Sequence, residues 1–260
     1  MKYVLLAPGA TLCALFVVWP VGELVKMSLS DGAQNYLLMF SDADFGRSII
    51  NSLIYTALLV PLQVGVALVV ALNAVNLSKR GQDMARFAFY IPFSCAGIVV
   101  AVIWKWVFHV NGPVNWMLRT RIDFLANRWT AIPAVSIATA AAMYGVIIAL
   151  FLAALIGIDP ALYDAAKIDG ASPRQIRWRV MAPAIMPVVW MYILLAAIAA
   201  PQVIEYVLAL APHRYGATMA YDIYETAWLE GQHGAAAAKA IVLFAWLMFL
   251  MWGKTRLSHG

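Results

Sequence analysis

The sequence predicts an all-α polytopic membrane protein with six transmembrane helices in a single transmembrane domain over residues 1–260. The chain is 64% hydrophobic and only 12% charged, whereas soluble domains carry about 25% charged residues. Apolar runs of about 20 residues, the length that crosses a bilayer as a helix, recur along the whole chain. The main polar stretch lies in the middle of the chain, between two such runs.

Six apolar runs are predicted to be the transmembrane helices, at about residues 3–29, 48–76, 86–110, 131–157, 182–211 and 235–255. The short connections leave no room for a separate soluble domain. Only Lys2 precedes the first run and no small-residue cleavage site follows it, so we expect a retained first helix rather than a signal peptide. Cys13 and Cys95 lie within apolar runs, which predicts buried, reduced thiols and no disulfide.

The distribution of Lys and Arg predicts the orientation, because cytoplasmic loops of membrane proteins are enriched in these residues. With both termini in the cytoplasm, ten basic residues lie inside: Lys2, Lys79, Arg80, Arg86, Lys167, Arg174, Arg177, Arg179, Lys254 and Arg256. Five lie outside: Arg47, Arg119, Arg121, Arg128 and Arg214. The central polar stretch is therefore predicted to be cytoplasmic. The outward loop at 111–130 is basic nonetheless, which this rule does not explain.

The central polar stretch, Asp159–Pro187, carries start and stop signals for two short helices. Asp159 can cap a helix that has Pro160 in its first turn, and Gly170 can end it. Ser172 followed by Pro173 repeats the start signal. The first helix combines small side chains with carboxylates, which favours close contact with another protein. An amphipathic connector lying on the membrane is the alternative on this local pattern.

The segment Tyr163–Ser172, YDAAKIDGAS, followed by Pro183 and Pro187, resembles the EAA loop of ABC importer permeases. The IDGAS form is typical of the carbohydrate-uptake branch. In that family the loop, here about residues 158–180, forms a cytoplasmic coupling helix that sits in a cleft of the ATPase subunit. The resemblance implies ATPase coupling by Tyr163, Asp164, Ala165, Ala166, Asp169, Gly170 and Ala171. Asp164 stands where the family usually has Glu, so its carboxylate is one methylene shorter.

The resemblance covers essentially the whole chain. Asn51 and Ser52 stand where the family has Asn-Thr at the second helix. Gly112 and Asn115 form a Gly-x-x-Asn pattern that resembles the maltose-type first membrane subunit. The Thr-Gly-Gly-Pro that usually follows the fifth helix is replaced by Leu-Ala-Pro at 210–212.

An enzyme is not indicated. The chain has no GxxxxGK[ST] phosphate loop, so it is not expected to bind ATP by that route. It has no HExxH motif, and its four His are far apart in sequence, so no catalytic residue, metal site or cofactor is predicted. A secondary transporter or channel would need an ionisable group near the centre of a span, and no Asp, Glu or His lies there.

Several polar residues within the spans need a reason, because charge in hydrocarbon is costly. Lys105 and Lys239 lie near predicted outer ends, and we expect both to snorkel to the interface. Glu205 follows Pro201, which frees a backbone carbonyl, so this carboxylate either faces a cavity or reaches water at the interface. Gln63 is a further cavity candidate, with hydrogen bonding between helices as the alternative.

Three aromatic residues are candidates for lining a solute path: Tyr144, Trp190 and Tyr192. Sugars present apolar C–H faces as well as hydroxyls, so aromatic walls with a few polar groups suit them. The alternative is an interfacial aromatic belt, to which we assign Trp104 and Trp106.

These observations predict the membrane-spanning permease subunit of an ATP-driven ABC importer in the cell membrane. A sugar or sugar-like solute would be delivered by an external solute-binding protein. The resemblance further implies a second homologous permease and two ATPase subunits as partners. A permease for polyamines, phosphate or amino acids is the nearest alternative, disfavoured by the IDGAS wording at 168–172. The net charge of +5 is spread over span ends, so nucleic-acid binding is not expected.

Overall fold

The described chain is helical along nearly its whole length. The structure, a computed structural model, describes residues 2–210 and 215–257, with side chains described except at 2–6, 85, 128 and 253–257. Within this part every regular element is a helix. The predicted all-α membrane class is therefore confirmed.

Four helices in the described residues are long and apolar enough to cross a membrane: Ala7–Ser28, Ala43–Ala74, Trp129–Ile156 and His233–Trp252. Two further pairs qualify if each bent pair counts as one span. Lys79–Ser94 and Gly97–Val107 meet at 97°, and Pro173–Ala184 and Met186–Gln202 meet at 62°. The six predicted spans thus correspond to four helices and two bent pairs.

The helices are numbered in chain order. They are α1 (Lys2–Cys13), α2 (Trp19–Ser28), α3 (Gln34–Ser41), α4 (Ala43–Ala74), α5 (Lys79–Ser94), α6 (Gly97–Val107), α7 (Pro113–Leu118), α8 (Arg128–Ile156), α9 (Pro160–Ile168), α10 (Pro173–Gln175), α11 (Ala182–Ala184), α12 (Met186–Ala199), α13 (Glu205–Leu210), α14 (Met219–Tyr224) and α15 (His233–Leu257). Wider π-helical turns join some of them, at Ala14–Val18, Ile176–Met181 and Glu225–Leu229.

The helices form two compact units. One comprises Met1–Ile50 and Thr218–Gly260, and the other comprises Asn51–Ala217. Helix α4 begins in the first unit and continues into the second. The single domain expected from the sequence remains a prediction.

In the first unit, α15 packs against α2, α3 and α14. Asn35 at the start of α3 is buried and donates a hydrogen bond from Nδ2 to the Ser28 carbonyl oxygen at 3.1 Å. A Cβ on Gly234 would lie 2.8 Å from that Nδ2 atom, so only glycine fits there. The apolar window of the first span, Ala7–Ser28, is 0% buried within the protein.

In the second unit, α4, α8 and α12 surround the main core. Its buried members are Ala67, Ala71, Leu72, Ala74, Ile147, Ile148, Phe151, Leu152, Leu155, Met181, Ala182, Ile185 and Val189. Helix α5 lies along α8. At Gly145 the two backbones approach so closely that an added Cβ would lie 2.5 Å from the Cα atom of Tyr90.

The predicted helices at 86–110 and 182–211 are each wrong as single helices. The first breaks between Ser94 and Gly97, directly after Pro92. The second bends at Ile185 and breaks again at residues 203–204, after a 3₁₀ turn that contains Pro201. Proline lacks the N–H that would continue the hydrogen-bond ladder, so the hydrophobic run continues where the helix does not.

The cysteine prediction is partly wrong. Cys13 and Cys95 are free thiols, as expected, but both are exposed on the protein surface. The error has a simple cause, because the surface of a membrane-spanning helix is itself apolar and an apolar run does not imply burial inside the protein.

We predict that Gly145→Ala lowers the stability of the detergent-solubilised protein. The new Cβ would meet the backbone of Phe89 and Tyr90, and overpacking of this kind costs about 1–3 kcal/mol. Gly65→Ala in α4 is the matched control, because nothing lies within 4 Å of its Cβ position and helix propensity gains up to about 1 kcal/mol. Thermal unfolding would measure both, and equal midpoints would contradict the close approach.

Candidate functional site

Helix α9 lies in the central polar stretch and forms as its start and stop signals predict. Asp159 caps it, because its Oδ1 atom accepts a hydrogen bond from the Ala161 N–H at 2.9 Å, and Pro160 occupies the first helical position. Gly170 takes a left-handed conformation with φ +75° just after the helix ends. Its N–H donates to the Lys167 carbonyl at 3.0 Å, which closes the last turn.

A side-chain hydrogen bond holds α9 to the membrane span that precedes it. The Tyr163 hydroxyl donates to the carbonyl oxygen of Leu155, in the last turn of α8, at 3.1 Å. Partial burial raises the pKa of the Tyr163 hydroxyl, which keeps it a neutral donor. Beyond α9, Ser172 forms a reciprocal capping box with Gln175. Helix α9 is therefore tied to α8 by a specific contact.

The other face of α9 presents an apolar surface to solvent. Ile168 is 87% exposed and Leu162 is half exposed, and each lies three residues from Ala165, which is the spacing of neighbours on a helix surface. Apolar side chains that form a contiguous exposed patch mark contact with a protein or a membrane, whereas single exposed ones are common. Leu162 and Ile168 were not selected from the sequence, although their spacing from Ala165 was a visible signal.

The two carboxylates predicted for coupling, Asp164 and Asp169, are both exposed. Asp164 Oδ1 lies 3.1 Å from Lys167 Nζ, one turn along the helix. Such an exposed pair contributes at most about 1 kcal/mol, so Asp164 can exchange this partner for another. Ala166 and Ala171 are half-buried, and Ala171 lines a cleft of about 690 Å³ with Tyr163, Lys167 and Arg177.

Among the residues proposed for a solute path, the structure brings Gln63 and Tyr192 together. The Tyr192 hydroxyl donates to Gln63 Oε1 at 3.0 Å. Its ring meets Phe151 edge-on, with centroids 5.9 Å apart. Gln63 is buried, so this contact links α4 to α12 inside the second unit.

Tyr144 and Trp190 lie in different surroundings. Tyr144 is half-buried and packs against the same core as Tyr192. Trp190 is 63% exposed and is not part of the Gln63–Tyr192 contact, because it lies on another face of α12. A lipid or subunit contact fits its exposure.

Glu205 lies at a helix break rather than within a continuous helix. It is the first residue of α13, where a carboxylate is favoured by the helix dipole. Its Cδ atom would be 3.2 Å from a Cβ on Gly97, the first residue of α6. The carboxylate therefore lies beside the first turn of two helices and occupies the space that the missing Gly97 side chain leaves.

The prediction that Lys239 snorkels to the interface is wrong. This residue is only 4% exposed, and its Nζ atom lies 2.8 Å from Asp42 Oδ2, 2.9 Å from Asp222 Oδ2 and 2.9 Å from Thr226 Oγ1. The ammonium also sits 5.4 Å from the ring centroid of Phe45. Lys105, by contrast, is exposed as snorkelling requires.

The two carboxylates around Lys239 are not equivalent. Burial raises the pKa of Asp222, and the hydrogen bond from Lys239 only partly opposes this. Burial also acts to raise the pKa of Asp42, but the hydrogen bonds from Lys239 and the Asp44 N–H outweigh it, so that pKa is lowered. Asp42 is therefore the principal counter-charge of the lysine.

No set of three or more His, Cys, Asp and Glu side chains is placed to hold a metal ion within residues 2–210 and 215–257. The described residues combine an exposed, capped helix in the polar stretch with a polar contact between two spans.

Comparison with known families gives a match over most of the chain. The family described as binding-protein-dependent transport system inner membrane component matches residues 63–258.

Three curated relatives are similar over most of their length. The diacetylchitobiose uptake system permease protein NgcF of Streptomyces coelicolor is 28% identical, over 95% of this chain and 79% of the relative. The sn-glycerol-3-phosphate transport system permease protein UgpA of Rhizobium meliloti is 26% identical, over 94% and 90%. The multiple sugar-binding transport system permease protein MsmF of Streptococcus mutans is 29% identical, over 82% and 76%.

Solved structures share the fold. A chain in the crystal structure of a bacterial alginate ABC transporter, in complex with an alginate pentasaccharide-bound periplasmic protein, superposes with a TM-score of 0.82 at 23% identity. The match covers 98% of this chain and 94% of that one. A second alginate importer structure gives a TM-score of 0.81.

We predict that Lys239→Met lowers the free energy of unfolding by about 3–5 kcal/mol, because it leaves two carboxylates with no counter-charge in a buried site. Lys26→Met is the control, since its exposed pair with Glu23 contributes about 0–1 kcal/mol. Unfolding of the detergent-solubilised protein would measure both, and similar losses would contradict the buried cluster.

The cluster around Lys239 makes the free energy of unfolding depend on pH, and its two carboxyl groups act in opposite directions. Asp42 stabilises the folded protein above the ordinary carboxyl pKa of about 4, and this stabilisation is lost as the pH falls, because the pKa of Asp42 is lowered by folding. Asp222 stabilises the folded protein at low pH, and this stabilisation is lost as the pH rises, because the pKa of Asp222 is raised by folding. Asp222→Asn should therefore destabilise less than Asp42→Asn at neutral pH and lose stability more steeply on acidification.

Proposed function

Because the chain belongs to the family of binding-protein-dependent transport system inner membrane components, we propose that it forms the membrane path of an ATP-driven importer for a sugar or sugar-like solute. The observation that carries the proposal is α9, a capped helix that is bonded to a membrane span by Tyr163 and leaves Ile168 exposed. The chain is a transport component, and ATP hydrolysis would take place on separate subunits.

The exposed face of α9 is the proposed binding surface for an ATPase subunit. Leu162, Ala165 and Ile168 would fill an apolar cleft in that partner, and Asp164 and Asp169 would meet basic residues at its rim. Gly170 would direct the chain away from the partner after the last turn. The surface then faces the cytoplasm, in agreement with the predicted positive-inside orientation and with both termini on that side.

A second, homologous permease is the proposed partner within the membrane. An apolar window of 18 residues in the first span contains no buried residue, as expected for a helix that faces lipid or another membrane protein. The chain of the alginate importer that shares this fold comes from a complex with a periplasmic solute-bound protein. By analogy, an external binding protein would deliver the solute here.

The class of solute is inferred from two independent indications. Relatives that cover most of the chain are named for uptake of diacetylchitobiose and multiple sugars. The polar groups that the structure joins beside the core, Gln63 and Tyr192, are uncharged and suit hydroxyl groups next to an aromatic wall. Glycerol 3-phosphate, named for other relatives, is the second candidate. Its phosphate would favour cationic groups in the path.

The mechanism would be alternating access driven through α9. ATP binding closes the ATPase subunits and displaces α9, and the Tyr163 bond passes this displacement to α8. The spans then change between outward and inward openings. Nucleotide and solute shift this equilibrium only as far as their affinities differ between the two states.

We predict that Ile168→Asp removes ATPase binding and uptake without unfolding the permease. Replacing an apolar residue at the centre of an interface costs about 2 kcal/mol or more, which is at least a thirtyfold loss of affinity. Ile168→Val is the matched control and should retain both activities. Co-purification with the ATPase subunit and solute uptake would be measured, with size-exclusion profiles as the test of folding.

Two variants of the same helix separate charge from geometry. Asp164→Ala should weaken coupling by about tenfold to a hundredfold, since a hydrogen bond to a charged group contributes roughly 1.5–3 kcal/mol. Gly170→Val should release the ATPase subunit, because a branched side chain is strained at φ +75°. Wild-type uptake by Ile168→Asp, Asp164→Ala and Gly170→Val together would reduce α9 to a simple connector.

We predict that Tyr192→Phe raises the KM for uptake by about fivefold to a hundredfold while ATPase co-purification is unchanged. The substitution removes a hydroxyl that would bond the solute, and a solute hydroxyl left unpaired in the path costs about 1–3 kcal/mol of binding. Tyr55→Phe is the matched control, because Tyr55 donates to Thr139 at 2.7 Å in the same unit and is not proposed to meet solute. Equal effects of both variants on KM would assign Tyr192 a structural role only.

A further inference from the structure

The loop between α6 and α8 is rigid because it is built around one buried amide. Asn115 donates from Nδ2 to the carbonyl oxygens of His109 at 3.0 Å and Ile122 at 2.9 Å. Its Oδ1 atom accepts from the Thr120 hydroxyl at 3.0 Å and from the Ile122 N–H at 2.8 Å. All four hydrogen bonds that an asparagine amide can make are therefore formed.

Gly112 is required at the start of this loop by its backbone neighbours. A Cβ there would overlap the Trp106 carbonyl oxygen and lie 2.8 Å from that of Val107. The Gly-x-x-Asn pattern is thus explained by local folding. Glycine allows the tight turn, and asparagine closes the loop, so the side chains between and after them are held in fixed positions.

The three residues that follow Asn115 form an exposed apolar surface. Trp116 is 80% exposed, Met117 73% and Leu118 58%. The loop is joined directly to a membrane-crossing helix, because the span Trp129–Ile156 begins shortly after it. Exposed tryptophan near the end of a span is favoured where hydrocarbon gives way to headgroups in membrane proteins.

Two arginines, Arg119 and Arg121, follow the apolar surface, and Arg119 has an unfavourable backbone conformation. Arg119 has φ 53° and is the one non-glycine residue with positive φ in the described chain. Glycine or asparagine is favoured in this conformation, so the arginine side chain occupies a position that local stability alone would not select. Arg119 and Arg121 line a cleft of about 670 Å³ together with Trp116 and Thr120.

We propose that residues 112–121 form a membrane-surface anchor that binds an anionic phospholipid, with Trp116, Met117 and Leu118 in the interface and Arg119 and Arg121 on the headgroup phosphate. The carboxylate nearest in sequence, Asp123, is bound locally, because its Oδ1 atom accepts hydrogen bonds from the N–H groups of Leu125 and Ala126. The site also accounts for the basic character of a loop that the charge rule places outside.

An acidic protein surface is the competing occupant for two arginines. The lipid is favoured because the apolar triplet adjoins the arginines and the whole loop adjoins a span, so one molecule in the bilayer can satisfy both. The proposal requires that α8 cross a membrane and does not depend on the solute. A permease that fails to import sugar could still pass the test.

The test uses the full-length chain in nanodiscs made of phosphatidylcholine alone or mixed with phosphatidylglycerol. Native mass spectrometry would measure which lipid is retained, and brominated lipid would quench the fluorescence of Trp116, identified by difference from Trp116→Phe. Wild type should retain phosphatidylglycerol preferentially. Each arginine near an anionic surface contributes about 1 kcal/mol, so Arg119→Gly and Arg121→Gln should each weaken the preference about fivefold.

Arg119→Gly keeps the test independent of folding, since glycine suits φ 53° and the unfolding temperature should be unchanged or higher. Arg47→Gln is the matched charge control, because Arg47 pairs with Asp44 at 2.6 Å, and its lipid preference should equal that of wild type. An unchanged preference in the Arg119→Gly/Arg121→Gln double variant would overturn the proposal. Absence of quenching with cross-linking of the loop to an acidic binding protein would overturn it in favour of a protein contact.

Discussion

In the hydrocarbon of a bilayer, no water is present to satisfy a backbone N–H or C=O group, so every break in a helix must be compensated by the protein itself. Two of the helix breaks in the second unit lie before Gly97 and before Glu205. These two breaks lie against each other, since the Glu205 carboxylate occupies the space beside Gly97. One carboxylate therefore lies beside the N-terminal, electropositive ends of two helices, where the helix dipoles favour it.

Much of the fold was predictable, because hydrophobicity and length alone identify apolar runs that cross a membrane. The bends were not predicted, although Pro92 and Pro201 were visible in the sequence. A hydropathy argument estimates how favourably a segment transfers from water into lipid. It does not indicate whether the helix formed by that segment is straight or bent. Whether a proline only kinks a helix or ends it depends on which neighbour satisfies the freed carbonyl, and that neighbour is distant in sequence.

At the functional site, as in the fold, features that depend on residues close in sequence were predicted, and features that depend on distant residues were missed. The caps of α9 are local interactions, so Asp159 and Gly170 were assigned correctly from their neighbours in sequence. Lys239 was assigned wrongly because its partner Asp42 is 197 residues away, and a lone lysine near a span end favours snorkelling on local grounds. Ile168 was within reach of sequence reasoning, but a single exposed apolar residue is recognised only when its neighbours are seen to leave it uncovered.

In the proposed mechanism, the Tyr163 hydrogen bond makes α8 rotate as a rigid helix when α9 moves. A helix of 29 residues is about 43 Å long at 1.5 Å per residue. If the buried part of α8 around Phe151 and Ile147 acts as the pivot, then a small displacement at the Leu155 end moves the opposite end in the reverse direction. Each degree of rotation about Ile147 would carry the N-terminal end of α8, about 28 Å away, by roughly 0.5 Å. Small adjustments at a protein contact can thereby become larger displacements at the far membrane surface, with no need for the helix itself to bend.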